Sequence, residues 1–242
     1  MITEVKMLEP LPLRKEWMNS LAQAVAFFES LNLAHGDLRP ENILLDRDQL
    51  KLSDFDCTAE IGTEFEACMA PYGRKLNSNE SDQGHRGTAG LLGPRTEQFA
   101  LGSLFYLINY GFEVYGDQCL TEDPYDHGPK VIKLLQNMEF PKLNGDPVID
   151  DIIDKCWHNK YATIAELAAY TETLLEKTNA NETNVEEISI PQWRLVLNRV
   201  IRGLLGHLRY WWARVVFRGG KDSNPVVTNG GEPKDRTYIH PT

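Results

Sequence analysis

The chain has 242 residues, 42% of them hydrophobic and 25% charged, enough for one sizeable core with a tail attached. Its formal net charge of −10 argues against general nucleic-acid binding by the main body. Cys57, Cys68, Cys119 and Cys156 show neither C-x-x-C spacing nor histidines at zinc-finger distances, so thiols in a reducing compartment are expected.

Residues 1–13, with Pro10-Leu11-Pro12, predict an extended lead-in that carries no signal or transit peptide. From Arg14 to Leu33, Trp17, Leu21, Val25, Phe28 and Leu31 recur at spacings of three and four, the period of an amphipathic helix. The short apolar runs Ile43–Leu45 and Leu50–Leu52 flank the polar Asp46-Arg47-Asp48-Gln49 and predict a hairpin. Glu60 to Gly93 is a long irregular segment rich in Gly, Asn, Ser and Asp, for which mobility is expected. Helical patterns follow over Thr96–Tyr106, Val148–Trp157 and Thr163–Leu175. The composition then turns acidic and polar over 179–189 and abruptly basic and aromatic over 190–221. That stretch holds Arg194, Arg199, Arg202, Arg209, Arg214, Arg218 and Lys221 without one carboxylate. It predicts an amphipathic helix too often interrupted by arginine to span a membrane, since each charge at a bilayer centre costs roughly 2.5 to 3.5 kcal/mol. Docking on the lobe, contact with a membrane surface and recognition of a partner protein are the three roles open to it. Residues 222–242, rich in Gly, Pro, Asn and Asp, predict disorder.

The densest chemical signal is His35-Gly36-Asp37-Leu38-Arg39-Pro40-Glu41-Asn42, followed across the hairpin by Asp54-Phe55-Asp56. These residues resemble the catalytic loop and the metal-binding loop of the protein kinase superfamily. The resemblance extends over residues 14–178. The helix before the loop, the Glu97…Gly102 spacing at the start of a central helix, and the Cys156-Trp157 pair all have counterparts in a kinase C-terminal lobe. It implies a mainly helical (α+β) fold with a small β-hairpin at its catalytic edge.

The resemblance also implies site roles. Asp37 would accept the proton of a serine or threonine hydroxyl, and Arg39 would steady the γ-phosphate of ATP. Asn42 and Asp54 would offer oxygens to Mg2+ and so bind the nucleotide. Glu97 would accept backbone N–H groups and anchor the catalytic loop from below, and His35 would pack that loop without transferring protons. A protein substrate or partner is expected.

Three departures from the family pattern are legible. Gly36 stands where many kinases have an arginine, so activation by phosphorylation of the segment after the metal loop is not expected. Asp56 replaces the usual glycine. Gly93-Pro94-Arg95 replaces Ala-Pro-Glu, and Tyr161 lies near the position of that glutamate's usual arginine partner, so both ends of one ion pair are exchanged together. The glycine-rich loop, strand lysine and helix glutamate of the smaller kinase lobe have no counterpart upstream of Arg14. Two readings therefore stand: an ATP- and Mg2+-dependent phosphotransferase, or a catalytically inactive scaffold. A small-molecule kinase of the choline or aminoglycoside type shares His-Gly-Asp but usually reads differently after it.

Overall fold

The computed structural model describes residues 7–65 and 69–182, the last seven for their backbone alone. The chain divides into Met1–Asn184 and Val185–Thr242. The second unit, with the basic helix expected over 190–221 and the disordered tail expected over 222–242, lies outside the described residues.

The first element, α1 (Leu11–Ser30), begins three residues before the expected start. Pro12 falls in its first turn, where a proline's missing N–H is no loss and its fixed φ suits a helix, so the expected extended lead-in is shorter than 1–13. The helix stops at Ser30, and Asn32 takes a left-handed φ of 59°. Leu33–Ala34 then forms a two-residue strand, β1. The inward face is Met18, Leu21, Ala22 and Val25. Leu31 is exposed instead, because it lies beyond the last turn, while the Trp17 indole N–H donates to the Asp48 carbonyl at 2.8 Å and so ties α1 to the hairpin turn.

After a single 3-10 turn at Pro40–Asn42, the expected hairpin forms from β2 (Ile43–Asp46) and β3 (Gln49–Leu52), with Ile43 opposite Leu52 and Asp46 opposite Gln49. Its two-residue turn places Arg47 at φ 59°. Strand β4 (Ala59–Glu60) pairs antiparallel with β1 and closes the second small sheet.

The remaining helices are α2 (Pro94–Tyr110), α3 (Pro124–Gln136), α4 (Pro147–Trp157) and α5 (Ile164–Glu182). Helix α2 is the centre of the lobe, every residue from Arg95 to Leu107 being buried, and it packs chiefly on α4 while α1 packs on α5. A side chain at Gly102 is excluded by its neighbours, since a Cβ there would stand 2.8 Å from Cys156 Cβ and 3.0 Å from Trp157 Cδ1. Helix α3 has no counterpart in the sequence expectations. Gly128 and Pro129 lie inside it, and only Val131 and Leu135 of its residues are buried, so its apolar period is short. Asp123 caps it by accepting from the Tyr125 amide at 2.9 Å, as Asp146 caps α4 through the Val148 and Ile149 amides. Helix α5 continues to Glu182, past residue 179 where the acidic linker was expected to begin. Among the described residues no helix is long and apolar enough to cross a membrane.

Candidate functional site

The loop between β1 and β2 is set by two buried groups. Glu97, in the first turn of α2, accepts from the amides of His35 (2.8 Å) and Gly36 (3.3 Å), so the expected anchoring contact is present. Burial pushes this carboxyl up to about 7, and the two amides only partly offset the burial. The His35 ring is held by the Ser53 carbonyl at 3.1 Å and receives the Asp37 amide on Nδ1 at 3.3 Å. Burial lowers its pKa, against the pull of the Ser53 carbonyl, Asp37 and Asp54, which favours a neutral ring that packs and orients. Phe55 stacks on Phe28 with ring centroids 5.4 Å apart and meets the His35 ring at 5.5 Å.

Gly36 owes its identity to this geometry. Its φ is 78°, and a Cβ would come within 2.6 Å of the Cys57 carbonyl oxygen. An arginine, common here in the resembling family, would be strained in this backbone and would displace the metal loop.

The structure brings three of the four expected site residues into direct contact. Asn42 Nδ2 donates to both the carbonyl oxygen and Oδ2 of Asp37, each at 2.8 Å. Arg39 Nε stands 3.8 Å from Asp37 Oδ2 and 3.5 Å from Glu41 Oε2. That Nε is buried and makes no hydrogen bond, so a donor is in place without an acceptor. Asp54 is exposed and touches none of the three directly. Ser53, its neighbour, is tied to the Asn42 carbonyl through both its amide (2.9 Å) and its hydroxyl (3.1 Å), which fixes the start of the metal loop against the end of the catalytic loop. Asp54 adopts φ 61°, a left-handed conformation in a non-glycine residue and a form of strain found at functional sites.

Ser53 and Glu41 were not singled out from the sequence. Ser53 was findable, because a small hydroxyl residue next to the metal loop faces the hairpin's open end. Glu41 was not, because an exposed first-turn carboxylate has no distinctive spacing. The exchanged ion pair is also accounted for. Gln98 of α2 donates to the Tyr161 carbonyl (3.1 Å) and Asn159 Oδ1 (2.7 Å) and accepts from the Tyr161 amide (3.2 Å). A neutral amide thus joins the start of α2 to the α4–α5 loop, where Tyr161 stands.

A mostly helical lobe that presents Asp37 and Asn42 on one loop and Asp54 at the edge of a hairpin has the arrangement of a protein kinase C-terminal lobe. The protein kinase domain, as a family, matches residues 2–163, and the chain belongs to that family. Among its relatives are serine/threonine kinases. It is 31% identical over 146 residues to the phosphorylase b kinase gamma catalytic chain, liver/testis isoform, of Bos taurus, covering 57% of this chain and 32% of that protein. It is 26% identical over 171 residues to CBL-interacting serine/threonine-protein kinase 20 of Arabidopsis thaliana, covering 60% and 36%. With MAP kinase-activated protein kinase 2 of Drosophila melanogaster it shares 26% identity over 201 residues, covering 70% and 52%. The chain spans about a third of the length of the phosphorylase b kinase chains it matches.

Proposed function

We propose that this chain transfers the γ-phosphoryl group of ATP to serine or threonine hydroxyls of a protein substrate, with Asp37 as the general base. The observation that supports this reading most is the pair of hydrogen bonds from Asn42 Nδ2 to Asp37. They hold Oδ2 in place and leave Oδ1 to accept the hydroxyl proton. With Asn42 Nδ2 engaged by Asp37, Asn42 Oδ1 and the exposed Asp54 carboxylate are the hard oxygens that would hold Mg2+. Arg39 Nε, which makes no hydrogen bond, suits a phosphate oxygen. Bound Mg2+ supplies neutralisation of charge on the nucleotide phosphates. The protein residues position the hydroxyl, take its proton at Asp37 and steady the phosphoryl group through Arg39.

The test is phosphorylation of a peptide mixture by the 242-residue chain with ATP and Mg2+. Asp37→Asn is expected to lower the rate at least about 100-fold, and an unchanged rate refutes the assignment. One observation favours a second reading, a catalytically inactive scaffold: Phe27 and Phe55, at 62% and 49% exposure, present open ring surface beside the catalytic loop, as a partner-binding lobe would. Calorimetric titration with ATP and Mg2+ separates the two. Binding that needs Mg2+ and is lost in Asp54→Asn supports the phosphotransferase, and no binding supports the scaffold.

A further inference from the structure

Residues 71–93, expected from sequence to be an irregular and mobile stretch, are irregular but closed on themselves. The Leu76 amide donates to the Thr88 carbonyl at 2.8 Å, and the Gly87 amide returns to the Leu76 carbonyl at 3.0 Å. Gln136 of α3 donates to the same Leu76 carbonyl at 3.1 Å. Inside this fold-back two guanidinium groups are buried, Arg74 and Arg95, each 6% exposed.

Glu80 joins them. Its carboxylate accepts from both terminal nitrogens of Arg74, with Nη1 at 2.8 Å, and from the Asn77 amide at 3.1 Å. The Arg74 guanidinium lies over the Phe99 ring at 5.5 Å, and Arg95 Nη2 donates to the Ala89 carbonyl. Burial pushes the Glu80 carboxyl up, but the hydrogen bonds from Arg74 and the Asn77 amide outweigh it, and the group stays below its usual range. Burial, then repulsion from Arg74, brings Arg95 down to about 10. Glu80 is thus the carboxylate in contact with Arg74, while Arg95 feels Glu80 and Asp82 only at a distance.

The position of these groups gives them reach. Arg95, Glu97 and Phe99 follow one another in the first turns of α2. Arg95 and Phe99 hold the segment, while Glu97 holds the catalytic loop through His35 and Gly36. The segment and the catalytic loop therefore hang from the same helix end. Gly36 has no side chain with which the catalytic loop could grip a phosphorylated segment, so that grip must come from elsewhere.

We propose that Glu80 is a positioning residue: its carboxylate clasps Arg74, and through Arg74 holds residues 71–93 against α2, ordering the segment without a phosphoryl group and fixing the surface on which a protein substrate is set. The last clause rests on the phosphotransfer reading; the clasp does not. Removing the carboxylate leaves a buried guanidinium unpaired, which destabilises the segment more than loss of an exposed ion pair would.

Hydrogen exchange of the phosphatase-treated 242-residue chain tests the clasp. Peptides spanning 76–91 are expected to be protected in the parent and to exchange at least about 10-fold faster in Glu80→Gln, with α1 unchanged. Glu80→Asp, which keeps the charge, is expected to recover part of the protection. Should Glu80→Gln also lose protection in α1, Arg74→Lys replaces it, since it keeps the cation but breaks the two-pronged contact, and acceleration confined to 76–91 is expected. Equal exchange in the parent and the confined variant overturns the proposal, as does a segment that is unprotected until phosphorylated. In a peptide phosphorylation assay, Glu80→Gln is expected to raise KM for the peptide about 10-fold while kcat changes less than about 3-fold, the reverse split overturning the positioning role. A parent chain with no activity refutes the phosphotransfer reading alone, because exchange decides the clasp independently.

Discussion

Glu97 gives the sharpest quantitative prediction. Its carboxyl is fully buried, accepts two amides of the catalytic loop, and titrates near 7 in the fold against 4.5 in the unfolded chain. Because the folded value is the higher one, the folded state holds the proton more tightly. The stability this group contributes is therefore fully present below about 4.5 and is lost as pH rises through about 7. A difference of that size corresponds to about 3 kcal/mol at most between the two ends of the window. In Glu97→Gln an uncharged amide keeps one acceptor oxygen for the His35 and Gly36 amides and has nothing to titrate. Leaving one amide poorly satisfied costs about 1 to 3 kcal/mol at any pH. The variant is therefore expected to be clearly less stable than the parent at pH 5 and to close much of that gap by pH 8. Urea unfolding of both chains at pH 5, 6, 7 and 8 measures this. A parent-minus-variant difference that stays constant over those four values refutes the claim that Glu97 binds a proton near neutrality.

Further predictions rest on local geometry. Gly102→Ala puts a methyl group against Cys156 and Trp157, and a loss of about 1 to 3 kcal/mol is expected in urea unfolding. Gly36→Ala combines a φ of 78° with a clash on the Cys57 carbonyl. It is expected to lower ATP binding by disturbing the metal loop as well as to destabilise by more than about 1 kcal/mol, both measurable in one calorimetric series. Ser103→Ala strips the Trp157 indole N–H of its acceptor and the Pro71 carbonyl of its donor, at about 1 to 3 kcal/mol by thermal unfolding. Gln98→Leu removes the bridge from α2 to Tyr161 and is expected to cost about 2 kcal/mol, with faster hydrogen exchange at 159–163 as its local sign.

What was legible in the sequence and what was not divide along a physical line. Period and motif carry information when one short stretch contains both the signal and its partner. The hairpin shows this: two apolar runs and the turn between them lie within ten residues, and β2 and β3 form as expected. Asp37, Asn42 and Arg39 likewise meet because a single turn at Pro40–Asn42 joins them. Helix α3 was missed because its cap at Asp123 and its Pro129 are weak local marks, and its burial of Val131 and Leu135 depends on the rest of the lobe. The contacts of Glu80 and Gln98 were hidden for a related reason. A glutamate in a polar loop looks the same whether it faces water or a buried arginine, and only the chain's return to α2 over residues 71–93 decides which. Gly36 means more in the structure than in the sequence. In the sequence, the absence of a side chain at residue 36 marks the loss of a basic grip on a phosphorylated segment. The φ of 78° and the approach of Cys57 make glycine a requirement of this backbone, and the grip on residues 71–93 is supplied from within the segment, by Arg74 and Glu80.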